Sequence, residues 1–215
     1  MISLRLVATL AAGVVISTSA VAETLKINVV DPQHKPLADA VVAWEQAPTS
    51  AKPQAAVMDQ VNKQFAPHVL IVNRGSKVTF PNSDNIRHHV YSFSPTQPFE
   101  LKLYSDKKRP ALRFEHSGVV TLGCNIHDTM IGYLYVTTSP YAQLTDAEGM
   151  AELTLPSMPQ QLTVWHSGMA EKPITVDLSQ HPERPIVIEL PVKQVEKQDD
   201  EPSRLEKRFN RLERS

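Results

Sequence analysis

The segment Gly123-Cys124-Asn125-Ile126-His127-Asp128-Thr129-Met130 places a thiol, an imidazole and a thioether in one short stretch of chain. An apolar run at 119–122 precedes it and another at 133–136 follows it, and both predict β-strands. The three donors therefore lie in a loop between strands, which can direct them to a common point. Such soft or borderline donors select copper over magnesium or calcium.

A trigonal copper site with a weak axial thioether needs a second imidazole. His88 supplies one, at the start of a predicted strand over 89–93. The residues thus predict one mononuclear copper site, with His88, Cys124 and His127 as ligands and Met130 as the weak axial ligand. Four protein ligands leave no open position for a substrate, which argues against catalysis at this metal.

Further residues stand at regular positions around these donors. They are Phe65-x-Pro67, Val72-x-x-Gly75-x-x-Val78-x-Phe80-x-Asn82-x-Asp84 and His88-x-Val90. Together with Cys124-x-x-His127-x-x-Met130, this pattern over 58–138 resembles the cupredoxins, the small blue copper proteins, and its loop spacing is similar to that of amicyanin and pseudoazurin. The resemblance implies a Greek-key sandwich that carries single electrons between redox proteins.

The chain departs from that pattern at two positions. Cupredoxins usually have Asn directly after the first histidine ligand, and this chain has His89. Neighbouring strand residues point to opposite faces, so only one of the pair can face the metal. In the cupredoxin pattern the ligand position corresponds to His88, and His89 is the alternative. Asp128 stands where close relatives often have Pro. Its carboxylate either lowers the potential or orders the exposed imidazole edge, or it is a solvated loop residue. Asn125 is also expected beside the ligands.

The composition predicts an all-β protein. The chain has 215 residues and is 41% apolar and 21% charged, enough for one large or two small packed domains. Its 17 Pro and 7 Gly residues separate short Val-, Ile- and Thr-containing runs, which is typical of strands with stiff connections. Within 57–138 we expect strands at 69–72, 77–80, 89–93, 99–103, 112–115, 119–122 and 133–136.

The two flanks of this middle region are incomplete by themselves. Two strands are predicted in 23–56 and about five in 139–192, and together they make the seven or so of an immunoglobulin-like sandwich. We therefore predict a discontinuous sandwich, 23–56 plus 139–192, interrupted by a cupredoxin domain over 57–138. It resembles the carboxypeptidase-regulatory or transthyretin-like sandwich, and the layout is similar to periplasmic methylamine-utilisation proteins. The alternatives are three sequential pieces or one larger sandwich.

The first 22 residues predict export. Arg5, an apolar run and Ala20-Val21-Ala22 form the pattern of a secretory signal peptide, which indicates a periplasmic protein. No later run is long enough to span a membrane. The single cysteine excludes an intramolecular disulfide, and its neighbours favour a metal ligand over an inert thiol or an intermolecular bridge. Residues 193–215 predict a charged tail with a short helix.

The remaining features narrow the function. A net charge of −1 does not indicate the excess of basic residues that is typical of nucleic-acid-binding proteins. The chain contains no Gly-rich phosphate loop, no His-Glu-x-x-His and no Gly-x-Ser-x-Gly. We expect a non-enzymatic electron carrier that works with redox partner proteins. The alternatives are a copper-delivery protein and an interaction module without a redox role.

Overall fold

The computed structural model describes residues 22–105, 111–169 and 172–192. The predicted tail, and all of the predicted signal peptide except Ala22, lie outside these ranges. The described residues form an all-β protein, as predicted, and no helix among them is long and apolar enough to cross a membrane. The strands are β1 (Glu23–Val30), β2 (Val41–Ala43), β3 (Ala55–Val57), β4 (Asp59–Val61), β5 (Gln64–Ala66), β6 (Val69–Asn73), β7 (Ser76–Thr79), β8 (His88–Ser92), β9 (Phe99–Tyr104), β10 (Leu112–Phe114), β11 (Gly118–Cys124), β12 (Ile131–Thr137), β13 (Ala142–Leu144), β14 (Met150–Leu155), β15 (Gln161–Trp165), β16 (Ile174–Asp177) and β17 (Ile186–Glu189), with a short 3-10 helix at Leu178–Gln180.

Strands β3 to β12, which we call the middle block, form one unit. A five-stranded sheet has the order β6-β12-β11-β8-β9, a three-stranded sheet has the order β10-β7-β3, and β4 pairs with β5. The two larger sheets share one core, in which Val78 and Phe114 from one sheet join Val90 and Leu134 from the other. This core positions the loop that follows β11.

Strands from the two ends of the chain pair with each other in two further sheets, which we call the flanking sheets. Their orders are β14-β1-β17 and β13-β2-β15-β16. Strand β1 lies antiparallel to β14 and parallel to β17. Leu25, Ile27, Leu153 and Ile186 are among the residues of their common core. The alternation of apolar and polar residues in β1 directs Leu25 and Ile27 inward.

A third group of buried side chains joins the flanking sheets to the middle block. Val41 and Trp165 come from the flanking sheets, while Val69 and Tyr135 come from the middle block. The ring of Trp165 packs edge-on against Tyr133 at a centroid distance of 5.2 Å. We call this group the joint cluster.

The predicted strands of the middle region are all present, with small shifts at their ends. Strands β3, β4 and β5 were not predicted, because each has only three residues and shows no clear alternation. Strand β3 begins before the predicted boundary at 57 and pairs with β7 in the middle block. The immunoglobulin-like identity of the flanking sheets and the division into domains stay predictions.

Candidate metal centre

Strands β8 and β11 position the first two donors. They run antiparallel, with Gly123 opposite Tyr91 and Cys124 opposite Val90. Alternation along β8 buries His88, which is 0% exposed, on the side of the core. Cys124, at the end of β11, is 2% exposed. Both donors are therefore held in regular structure.

The loop after β11 brings His127 to the same point. The Sγ atom of Cys124 lies 3.7 Å from Nδ1 of His88 and 3.7 Å from Nδ1 of His127. The three donor atoms all lie within 4.8 Å of one another. The two imidazole rings are tilted, with centroids 5.0 Å apart. Among the described residues, this is the group whose donors converge closely enough to bind one metal ion.

Backbone hydrogen bonds shape this loop. The N–H of His127 donates to the carbonyl of Cys124 at 3.3 Å, and the N–H of Met130 donates to the carbonyl of His127 at 2.9 Å. These turns return the chain to the core, where Met130 is fully buried in the same cluster as Cys124. The thioether predicted as the axial ligand therefore lies in the apolar surroundings of the thiol.

His89 lies on the other face of β8. Its Nε2 is 2.9 Å from a carboxylate oxygen of Glu100, and its ring approaches Tyr91 edge-on. It is not part of the converging group, so the side on which each histidine lies supports His88 over His89, while ligation itself stays a prediction. Asn125 and Asp128 are both exposed in the loop, and Asp128 lines a cleft that reaches Cys124.

Asp84 contacts the outer nitrogen of His88. A carboxylate oxygen of Asp84 lies 2.8 Å from His88 Nε2. The same carboxylate accepts the backbone N–H groups of Asn62 and Lys63. Desolvation by burial raises the pKa of Asp84, but the hydrogen bonds from Lys63, His88 and Asn62 together outweigh it and hold that pKa below its ordinary value. Asp84 is part of the sequence pattern, but the pattern assigns it no role, because its contact with His88 depends on the folded path of the loop.

An aromatic pair covers the strand that carries the thiol. A Cβ atom on Gly123 would lie 2.7 Å from Cζ of Tyr91, so a side chain at this position would require the Tyr91 ring to shift. Tyr91 in turn packs on Phe93, with ring centroids 4.9 Å apart, and Phe93 is 82% exposed. The outer face of β8, which carries His89 and Tyr91, is therefore aromatic and continues to the exposed Phe93.

The chemistry of the donors fits copper. Two imidazole nitrogens and one cysteine sulfur converge, and a thioether lies in the same core. These are the donor types of a trigonal copper site with a weak axial ligand. The converging donors include no carboxylate, the ligand that suits magnesium or calcium. His88, Cys124 and His127 are the residues that would hold the ion, and Met130 as a fourth ligand stays a prediction.

Comparison with known proteins places this geometry in context. No family model matches the chain, and a search of curated proteins finds no match. The solved structures it resembles are cupredoxins. A purple cupredoxin from Nitrosopumilus maritimus has 23% identity and a TM-score of 0.35 and covers 39% of this chain and 99% of its own. The reduced Cu(I) form of an amicyanin mutant has 20% identity and a TM-score of 0.36 and covers 46% of this chain and 98% of its own.

A larger protein is also similar over a part of its length. A Cu-containing nitrite reductase from Thermus scotoductus has 23% identity and a TM-score of 0.37, and the match covers 51% of this chain and 28% of the reductase. These structures belong to the same group of copper proteins that the sequence resembles. With TM-scores below 0.5, they carry no argument about function.

Proposed function

We propose that the protein is a periplasmic, mononuclear copper protein that carries single electrons between redox partner proteins. The observation that supports this most directly is the convergence of His88, Cys124 and His127, whose donor atoms all lie within 4.8 Å of one another. Met130 is buried in the same core cluster as Cys124. Bound copper would supply a one-electron couple between its Cu(II) and Cu(I) states. The flanking sheets have no assigned part in this function.

The surroundings of the donors favour rapid electron exchange. Cys124 and Met130 are buried in a close-packed core, and His88 is held on both sides of its ring, by the thiol and by Asp84. Side chains held in this way move little when the charge of the site changes. A small rearrangement lowers the barrier to electron transfer, whereas a flexible surface site would have to reorganise at each step.

His127 is the proposed electron port. It is half-buried, whereas His88 is fully buried, so the edge of His127 is the imidazole edge nearer to solvent. Ile126 and Ile131 beside it are 51% and 39% exposed. We propose that these side chains form an apolar surface on which a partner protein docks. The same four-ligand arrangement leaves no position for a substrate, so we propose a carrier and not an enzyme.

The test is a visible and EPR spectrum recorded after Cu(II) is added to the mature protein. We expect a strong thiolate-to-copper absorption near ~600 nm, since the ligand set is that of a blue-copper site. Cys124→Ser should abolish this band. His88→Ala should abolish it too, while the matched variant His89→Asn should keep it, because His89 lies on the other face of β8.

Three results would contradict the proposal. A wild-type protein that stays colourless with Cu(II) would exclude the carrier function. A band that survives in Cys124→Ser would overturn the ligand assignment. Preference for Cu(I) alone, with ready transfer of the metal to an apo acceptor protein, would indicate copper delivery instead.

A further inference from the structure

The outer nitrogen of His88 is connected to a remote hairpin through one carboxylate. Asp84 Oδ2 lies 2.8 Å from His88 Nε2, and the side chains of His88 and Asp84 are 0% and 12% exposed. The opposite ring nitrogen, Nδ1, faces the Cys124 sulfur at 3.7 Å. One ring nitrogen of His88 thus meets a carboxylate, and the other is directed toward the proposed copper position.

The other end of this connection is the two-residue turn between β4 and β5. Asn62 and Lys63 have φ values of 55° and 57°, in the left-handed region that non-glycine residues seldom adopt. Their N–H groups donate to the two oxygens of Asp84, at 2.7 Å and 2.9 Å. The carboxylate therefore satisfies this turn and the histidine at once.

Asp84 itself is held in place. Its N–H donates to Oδ1 of Asn82 at 3.0 Å, and the buried Asn82 amide donates to the carbonyls of Ile86 and Tyr104. These contacts fix the backbone on both sides of the carboxylate. The Asp84 side chain thus has little freedom to leave His88.

An ionised carboxylate can only accept hydrogen bonds, so a neutral His88 beside it must carry its proton on Nε2. The lone pair of Nδ1 then points at the Cys124 sulfur, which is the direction required of a metal ligand. We propose that Asp84 is a positioning residue that selects this tautomer of His88 and anchors the ring to the turn at Asn62 and Lys63. The inference rests on the proposed function, because it assigns Asp84 to the same copper site.

A direct test uses the metal-free protein. In ¹⁵N-labelled protein at a pH where His88 is neutral, imidazole NMR should show the Nε2-protonated tautomer. Asp84→Ala should remove this preference, because it leaves His88 Nε2 without this acceptor. Asp84→Asn should weaken it, because one amide oxygen then replaces the two oxygens that accept from Asn62, Lys63 and His88. Asp146→Asn is the matched control: Asp146 likewise accepts two backbone N–H groups in a turn, those of Glu148 and Met150, in the flanking sheets.

The same variants are then titrated with copper. Loss of a partner on the outer nitrogen of a ligating histidine lowers metal affinity roughly 10–100-fold. The removed negative charge stabilised Cu(II) more than Cu(I), so the reduction potential should rise, by about 59 mV for each tenfold loss of affinity for Cu(II) alone. Asp146→Asn should change neither quantity, even where it lowers the midpoint of thermal unfolding.

The outcomes separate this inference from the proposed function. A wild-type protein that does not turn blue with Cu(II) rejects the electron carrier, and the tautomer measured in the metal-free protein still decides the role of Asp84. A blue wild-type protein whose Asp84 variants, shown to be folded by circular dichroism, keep both the tautomer and the potential rejects the positioning role. An equal shift of the potential in Asp146→Asn rejects it too, because the effect would then be one of general stability.

Discussion

The cores of the middle block and the flanking sheets are built from different side chains. The core of the flanking sheets is mostly aliphatic, with Trp44 as its large ring. The core of the middle block includes four aromatic rings and three sulfur-containing residues, and polar groups such as His88 and Gln60 are buried within the block. Burial of polar groups is unfavourable unless they find partners. Both groups have partners, the Asp84 carboxylate for His88 and the Pro81 carbonyl for Gln60. The region that holds these polar groups is also the one in which the metal donors converge.

The joint cluster connects the two regions, and a substitution there should have the largest effect on stability. Trp165 is 1% exposed and packs against Tyr133 and Tyr135 of the middle block. Trp165→Ala should lower the free energy of unfolding by about 3–5 kcal/mol, as expected for a fully buried large ring. Denaturant unfolding measures this loss. The copper spectrum of the folded variant should stay unchanged, because the site is built from the middle block alone.

Trp165→Phe is the control for that experiment. Within the described residues, the indole N–H of Trp165 has no hydrogen-bond partner, so phenylalanine loses packing but no polar contact. Its effect should be smaller than that of alanine. A copper spectrum that disappears in Trp165→Ala would show that the site depends on the flanking sheets.

The two buried methionines of the middle block allow a packing role to be separated from a ligand role within one core. Met130 and Met58 are both 0% exposed and belong to the same cluster. Replacement of either by leucine should change the free energy of unfolding by less than about 1.5 kcal/mol, since volume and polarity are nearly kept. Only Met130→Leu should alter the visible spectrum and raise the reduction potential, because it removes an electron-pair donor from Cu(II).

Spectroscopy and voltammetry of the two variants decide the point. Equal spectra and potentials for Met130→Leu and Met58→Leu would remove Met130 from the ligand set and leave it as a core residue.

The smallest expected effect concerns His166, which follows β15 in the flanking sheets. Burial lowers its pKa, although a hydrogen bond with the Ala38 backbone and the charge of Asp39 oppose this. The unfolded chain, with an ordinary histidine pKa of about 6.5, therefore binds the proton more readily. The contribution of His166 to stability is present above that pH and is lost as the pH falls toward the folded pKa.

His166→Asn should flatten the dependence of unfolding free energy on pH in this acidic window. Asparagine keeps an acceptor for the N–H of Gly168, which donates to His166 Nδ1 at 3.0 Å. Denaturant unfolding at a series of pH values measures the slope. An unchanged slope would show that His166 does not take up its proton differently in the folded and unfolded chains.

The sequence predicted the parts that depend on local pattern. Alternation and turn residues were enough for the all-β class and for the longer strands. The loop spacing selected Cys124 and His127, and the need for a second imidazole together with the cupredoxin pattern selected His88. The period of two along a strand predicted that only one of His88 and His89 faces the core, and the cupredoxin resemblance favoured His88. These features are encoded within a few neighbouring residues, which is why they could be recognised.

The unpredicted parts depend on distant contacts. Strand β3 is exposed or half-buried over Ala55–Val57 and exists because it pairs with β7, which no local pattern reveals. The contact of Asp84 with Asn62 and Lys63 joins residues that are far apart in the chain. Only the folded path of the loop brings these groups together, so a reading of the residues alone could not assign Asp84 a role.

The pairing of β1 with β14 and β17 has a consequence for the order of synthesis. Strand β1 is made early, but its partners are Met150–Leu155 and Ile186–Glu189, near the other end of the described chain. Every strand of the middle block is translated before either partner exists. Strand β1 therefore has no partner strand at this stage, whereas all the strands of the middle block are already available to pair. The copper-binding region has the earliest opportunity to fold, and the sheets that enclose its ends are completed last.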